Sequence, residues 1–279
     1  MTNNLISIVM PTFNSAAFIS DALESLKHQT NQNFELLVCD GGSTDDTLDI
    51  VLEKMGDRVN IVSRSDSGIP DALNKGFSAA KGEILCWLNS DDVIATSTAL
   101  MFVADYFMTR SCDVAVCDCV ALTKDGRVSK TLIAFSPPPE FAAFGGNIFT
   151  GSLFFSKLAW KKFGGFSRKY ELAFEYELTD SIFSEFKVHK INGVVGGFRI
   201  HESGLSSAFR SKLSEEKQLI RLNTRTIGKL RYFAYRILQH ARDQNIHRVI
   251  FNRFFDPNLG LQWTDVERKG WSGQASKCL

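Results

Sequence analysis

Ile84, Leu85, Cys86, Trp87 and Leu88 are five consecutive apolar residues, entered from Lys81-Gly82-Glu83 and followed at once by Asn89, Ser90, Asp91 and Asp92. A run so short and so uniformly apolar reads as a strand buried on both faces. Strands of that kind belong to open sheets with helices on either side, and ligands bind such sheets at the carboxyl ends of the strands. Two adjacent aspartates there repel one another. A hard divalent cation with oxygen ligands, shared with a substrate phosphate, answers that repulsion. The plainer reading of the same residues is a helix start, with Asp92, Thr96 or Ser97 capping a helix over 98–108.

The preceding chain supports the sheet. Residues 5–10 form an apolar strand stopped by Pro11, with Thr12, Phe13 and Asn14 as its loop. Residues 16–27 place Ala22, Leu23 and Leu26 at helical spacing. A second buried strand over 34–39 runs into Asp40-Gly41-Gly42-Ser43-Thr44-Asp45-Asp46, where Ser43 or Thr44 can cap a helix over 46–54. A third strand over 59–63 and a helix over 71–80 complete the alternation. This order predicts an α/β fold, a mostly parallel sheet flanked by helices. Right-handed connections collect the loops 11–14, 40–44 and 89–92 at one edge. No G-x-G-x-x-G follows the first strand and no phosphate loop ends in Gly-Lys-Ser/Thr, which weighs against dinucleotide-binding and NTPase folds.

The 279 residues suffice for one large domain with an appendage, and a net charge of +1 gives no reason to expect nucleic acid. Six cysteines are scattered, Cys117 and Cys119 at the wrong spacing for a zinc knuckle, so reduced core thiols in a cytoplasmic protein are expected. Neither a standard secretion signal nor a run of 18 apolar residues is present. The 23 phenylalanines, densest in the second half, suggest apolar surface that meets something beyond the core.

Ile8 through Pro11-Thr12-Phe13-Asn14, Leu37 through Asp40-Gly41-Gly42-Ser43-Thr44-Asp45, Asp66-Ser67-Gly68-Ile69, Asn74-Lys75-Gly76 and Leu88-Asn89-Ser90-Asp91-Asp92 resemble, in order and spacing, the family 2 glycosyltransferases of GT-A fold. The resemblance implies that Pro11, Thr12, Asn14 and Asp40 hold the nucleotide of a UDP-, GDP- or dTDP-sugar, with Asp66, Asn74 and Lys75 beside them. A carboxylate suits a base N–H, and loop amides suit ribose or phosphate. Asp40 also fits simple turn initiation, and Lys75 an exposed helix lysine. Asp91 and Asp92 match the family's acidic motif, which holds Mn2+ or Mg2+ against the diphosphate. Asn89 departs from the aspartate common at its position.

In the second half, residues 114–122 read as a strand with a hairpin turn at Lys124-Asp125-Gly126-Arg127, and the proline run 137–139 and Gly145-Gly146 read as loops. Thr150 through Phe155 and Trp160 through Gly164-Gly165-Phe166 resemble the family's edge strand, short helix and glycine pair, the glycines serving positive φ. Phe174-Glu175-Tyr176-Glu177-Leu178 stands where the family carries a catalytic aspartate at a helix start. Glu175 matches the general base and Glu177 is the fallback, although both also suit a helix N-terminus. Phe198-Arg199-Ile200-His201 through Ser206 resembles the closing Arg-x-His segment, so His201 is expected on the metal or diphosphate, supported by Arg199.

Beyond residue 209 the resemblance stops. A helix over 214–242 would gather Ile220, Ile227, Leu230, Ala234 and Ile237 on one arc and Lys217, Arg221, Arg225 and Lys229 on another. Such a helix can rest peripherally on an anionic membrane or pack on the catalytic domain; packing is the commoner use of that pattern. The expected organisation is a donor half (1–112), an acceptor half of the same domain (113–208) and a helical extension (209–279). The implied activity is metal-dependent, inverting transfer to a saccharide or lipid-linked saccharide hydroxyl in cell-surface polysaccharide biosynthesis. A nucleotidyltransferase would show a glycine-rich basic loop after the first strand, which residues 11–14 lack. A nucleotide-sugar-binding protein without catalysis stays open because of Asn89 and the paired glutamates.

Overall fold

Seven consecutive residues of β1 (Ile6–Thr12) are buried, which requires cover on both faces. The computed structural model, which describes residues 4–63, 65–132, 134, 149–167, 169–204 and 209–223, supplies it. β1 lies between β2 (Phe34–Asp40) and β4 (Ile84–Trp87), and β2 pairs with β3 (Val59–Ser63), all parallel. The period of two divides the cover. Ile6, Ile8 and Met10 share one core with α1 (Ile19–Lys27), α2 (Thr47–Met55) and α4 (Ala99–Thr109), whereas Val9 joins α3 (Ile69–Ala79) on the other face. Gly76 permits that second contact, because a Cβ there would stand 2.3 Å from Val9 Cγ1.

Pro11 does not stop β1; the strand runs on through Thr12, paired with Asp40 of β2. Val9 turns its peptide group toward β4, its carbonyl accepting from Leu88 N–H at 3.0 Å, and Pro11 two residues on faces the same way. The ladder with β4 ends at Val9 and Trp87, so the N–H that Pro11 lacks breaks nothing.

Past β4 the sheet becomes mixed. β8 (Leu153–Ser156) runs antiparallel to β4, β6 (Val114–Leu122) antiparallel to β8, and β9 (Val188–Arg199) parallel to β6. The two-residue β5 (Val93–Ile94) closes on β9, and β7 (Val128–Leu132) pairs with β6 through the turn at Gly126, φ 81°. α5 (Lys157–Phe163) ends in Gly164 and Gly165 at φ 79° and 101°, the positive values expected of the pair. α6 (Phe174–Glu185) and α7 (Arg210–Asn223) follow.

Among the described phenylalanines of the second half, Phe209 is 50% exposed, whereas a group around α5 and α6 turns inward. Phe155, Trp160, Phe163, Phe166 and Phe174 form a chain of ring contacts, with Phe77 of α3 at its head, and pin the start of α6 into the core. Ring pairs of this kind add about 0.5–1.5 kcal/mol each beyond burial. The expected caps also differ. The N-cap residues are Asp46 of α2 and Thr98 of α4, neither with a side-chain cap bond, while Ser43, Asp92 and Thr96 bond elsewhere. Five cysteines are buried and free. Residues 137–139, Gly145, Gly146, Ser206, Arg225, Lys229, Cys278 and the expected helix beyond Asn223 lie outside the described residues. No described helix is long and apolar enough to cross a membrane.

Candidate active site

The turn after β4 is tight, with Asp92 N–H donating to Asn89 O at 3.1 Å. Its two aspartates point opposite ways. Asp92 is 3% exposed; its Oδ1 accepts from Arg199 N–H at 2.9 Å and its Oδ2 from Asn89 Nδ2 at 3.1 Å. Burial first, then the Asp91 charge, pushes its carboxyl well above the usual range, and the Glu175 charge adds to this. Asp92 was expected to hold a metal, but its oxygens are turned to protein donors and it anchors the turn. Asn89 acquires a reason here: its amide donates to Asp92 and to Thr150 Oγ1, which an aspartate cannot do.

Asp91 faces His201 across this edge, Oδ2 to Nε2 at 2.9 Å. The other ring nitrogen lies 3.0 Å from Ser203 Oγ, and the Phe18 ring centre 4.4 Å from that of the imidazole, so the ring has a fixed orientation. A carboxylate oxygen beside an imidazole nitrogen suits a divalent cation, and the nitrogen suits Mn2+ better than Mg2+. The described residues contain no cluster of three or more His, Cys, Asp or Glu able to hold a metal.

Arg199, expected to support the donor, instead knits the edge together. Its side chain is 1% exposed. The guanidinium donates to Asp91 O and Lys124 O at 2.9 Å each and to Asp21 Oδ2 at 2.7 Å, with the Phe18 ring 5.3 Å away.

The donor-side loops converge as expected, though several side chains hold the loops themselves. Asp40 Oδ2 accepts from Gly42 N–H at 3.0 Å and Ser43 N–H at 2.9 Å, and Oδ1 from Ser43 Oγ, which is the turn-forming arrangement. Asn14, at φ 46°, accepts from Thr44 N–H at 2.9 Å and donates its own N–H to Ser43 Oγ, tying the two loops together. Thr12 is buried and donates to Met10 O, and Pro11 sits in the strand. Asp66 stands across from Gly41, 3.3 Å from where a Cβ would sit there, and burial raises its pKa. The Phe13 ring, 61% exposed, flanks the same gap.

Asn74 and Lys75 are correspondingly withdrawn. Asn74 clamps the Phe166 backbone, accepting from its N–H and donating to its carbonyl at 2.8 Å each. Lys75 pairs with Asp71 at 2.9 Å and donates to Ser65 O.

At the start of α6 the two glutamates separate. Glu177 accepts from Ser167 N–H and Oγ, pinning the loop after the glycine pair. Glu175 is partly buried, and no described residue hydrogen-bonds its carboxylate. Burial pushes its pKa up to about 7, opposed by Lys217 of α7. Asp21, Phe18, Ser203 and Glu216 also enter this architecture. No motif marks Asp21, Phe18 or Glu216, since each acts through a tertiary contact, whereas Ser203 lies in the closing segment and bonds His201 two residues away.

Residues 7–163 match the family described as Glycosyl transferase family 2. A PGL/p-HBAD biosynthesis glycosyltransferase of Mycobacterium bovis is 39% identical over 109 residues, 38% of this chain and 43% of that protein. Chondroitin synthase of Pasteurella multocida is 25% identical over 260 residues, 90% of this chain but 26% of the synthase. The matched segment thus spans less than half the length of either relative. Among solved structures, S. aureus TarS (1-349) with UDP-GlcNAc superposes at a TM-score of 0.63, with 21% identity over 83% of this chain and 69% of that one. The mannosyltransferase PcManGT of Pyrobaculum calidifontis, with GDP-Man and Mn2+, gives 0.58, with 18% identity over 82% and 66%. These two likenesses are of fold.

Proposed function

Since the chain belongs to glycosyl transferase family 2 and has the GT-A fold, we propose that it moves a sugar from a nucleoside-diphosphate sugar to a hydroxyl of a saccharide or lipid-linked saccharide, inverting the anomeric carbon. The observation that carries this reading is the pairing of Asp91 with His201 at the strand ends, with Glu175 unbonded by described residues nearby. Single displacement needs two things: a held leaving group and one base. Glu175 takes the acceptor hydroxyl's proton as that oxygen bonds the anomeric carbon, and the bond from that carbon to the diphosphate oxygen breaks on the opposite face. A carboxyl with a pKa of about 7 is matched to this work near neutral pH.

Asp91 and His201 are the residues that would hold a divalent cation, which when bound neutralises charge on the departing diphosphate. Asp66 offers a carboxylate to the nucleoside, and the exposed Phe13 ring offers a face to its base. Asp40, 1% exposed, shapes the turn beside them and keeps an Oδ1 lone pair for the nucleoside. Relatives named for PGL/p-HBAD biosynthesis and for chondroitin synthesis support a role in glycan assembly.

A thermal-shift screen of UDP-, GDP- and dTDP-sugars, with and without manganese, tests the reading. One base class should raise the melting temperature, more so with manganese, since only the folded state binds it. No shift with any nucleotide sugar in either condition would contradict it.

A further inference from the structure

α7 lies outside residues 7–163, yet it brings two charged side chains to the end of α6 that carries Glu175. Glu216 is 8% exposed, and its carboxylate collects three consecutive backbone N–H groups: Ala173 at 2.8 Å, Leu172 at 2.9 Å and Glu171 at 3.2 Å. These amides form the lead-in to α6, whose N-cap residue, Ala173, has no side-chain oxygen with which to cap. The carboxylate also sits at the positive end of the helix dipole. Burial alone would raise its pKa, but the three N–H groups and Lys212 bring it below the ordinary value, so it is charged at neutral pH.

The neighbouring contacts fix the same end. Lys217 Nζ stands 4.5 Å from the centre of the Tyr176 ring, next to Glu175. Lys212 pairs with Glu171 at 2.6 Å, and Leu213 packs on the core that holds Phe174 and Leu178. Ala173 is two residues from Glu175, so any shift of the anchored backbone passes directly to the Glu175 carboxylate.

We propose that α7 is part of the active site, with Glu216 as a positioning residue that sets where Glu175 meets the acceptor hydroxyl and Lys217 as the cation that faces Glu175. This rests on Glu175 being the base. Among the described residues, the charged groups facing Glu175 are Lys217 from α7 and Asp92 from the turn after β4. A displacement of about 1 Å at a reacting group costs on the order of 10²-fold in rate, so a positioning contact has a large effect to exert.

The test uses the full chain and the variants Glu216→Gln, Lys217→Met and Glu175→Gln, with UDP-N-acetylglucosamine and GDP-mannose as donor probes. Glu216→Gln should lower kcat by roughly 10–100-fold while donor KM stays within about twofold. Lys217→Met should move the acidic limb of the pH–rate profile to higher pH, because a cation that favours the charged carboxylate is gone. In protein labelled with 13C at the glutamate carboxyls, the Glu175 resonance, assigned by its loss in Glu175→Gln, should change position or titration midpoint in both other variants. If the parent turns over neither probe, this spectrum decides alone. Parent-like kcat in a folded Glu216→Gln, or an unchanged Glu175 resonance there, overturns the proposal; if Glu216→Gln does not fold, an unmoved limb or resonance in Lys217→Met does so. Undiminished turnover in Glu175→Gln would instead remove the base reading beneath it, and the proposal with it.

Discussion

His201 Nε2 stands 2.9 Å from Asp91 Oδ2, joining the segment after β9 to the turn after β4. These elements are far apart in sequence and are held together by the pairing of β5 with β9 and by the bonds of Arg199 to Asp91 and Asp92. The contact brings together the two side chains proposed to share a cation.

Asp91→Asn and His201→Ala should each abolish the manganese-dependent part of nucleotide-sugar binding. Both proteins should remain folded, since neither residue contributes to the buried core. Calorimetric titration of UDP and GDP with and without manganese measures this, and a metal effect that survives in both variants would remove the assignment.

Asp40→Asn keeps an oxygen for the Gly42 and Ser43 amides but removes the charge. Nucleoside diphosphate binding should weaken by roughly 1.5–3 kcal/mol, the value of a hydrogen bond to a charged group. Unchanged affinity together with a lowered melting temperature would make Asp40 a turn former alone.

Arg199→Lys should be costly although it conserves charge. A lysine ammonium cannot reach the Asp91 carbonyl, the Lys124 carbonyl and Asp21 in the planar fork that Arg199 uses. Urea unfolding should show a loss of about 1.5–3 kcal/mol, one charged hydrogen bond or more. A midpoint equal to the parent's would mean that the edge is held by other contacts.

The raised pKa of Glu175, about 7 against an ordinary 4.5, has opposite consequences for activity and stability. Between those values the folded protein binds the proton that the unfolded chain has released. The stabilisation is therefore full below about pH 4.5 and is lost as pH rises through about 7. Turnover runs the other way and should rise with pH through about 7, as the carboxylate forms. Comparing parent and Glu175→Gln by denaturation across this range should show a steeper slope in the parent, since Asp66 and Asp92 titrate in both proteins; equal slopes would place the proton elsewhere.

Much of this architecture was legible because buried parallel strands are apolar runs with polar ends. Residues 84–88 and their acidic turn, the glycine pair at 164–165 and the hairpin at Gly126 all follow from local chemistry. The division of labour between Asp91 and Asp92 does not. It is decided by the Arg199 backbone N–H, which arrives from β9 and takes Asp92. Asn74 likewise fits a donor-side helix in sequence, and only the fold places Phe166 against its amide. Glu216 reads as one more solvated acid on a charged helix, because nothing local announces the three amides that it holds.

The central claim is that Glu175 removes the acceptor's proton at a site whose donor is held independently of it. Glu175→Gln preserves size and keeps the carbonyl oxygen but cannot take a proton. The most direct measurement is sugar transfer by this variant beside its affinity for the same nucleotide sugar. The account predicts donor affinity like the parent's with turnover lower by roughly 10²–10⁴-fold, and a much smaller effect for Glu177→Gln. Near-normal turnover in Glu175→Gln would contradict it.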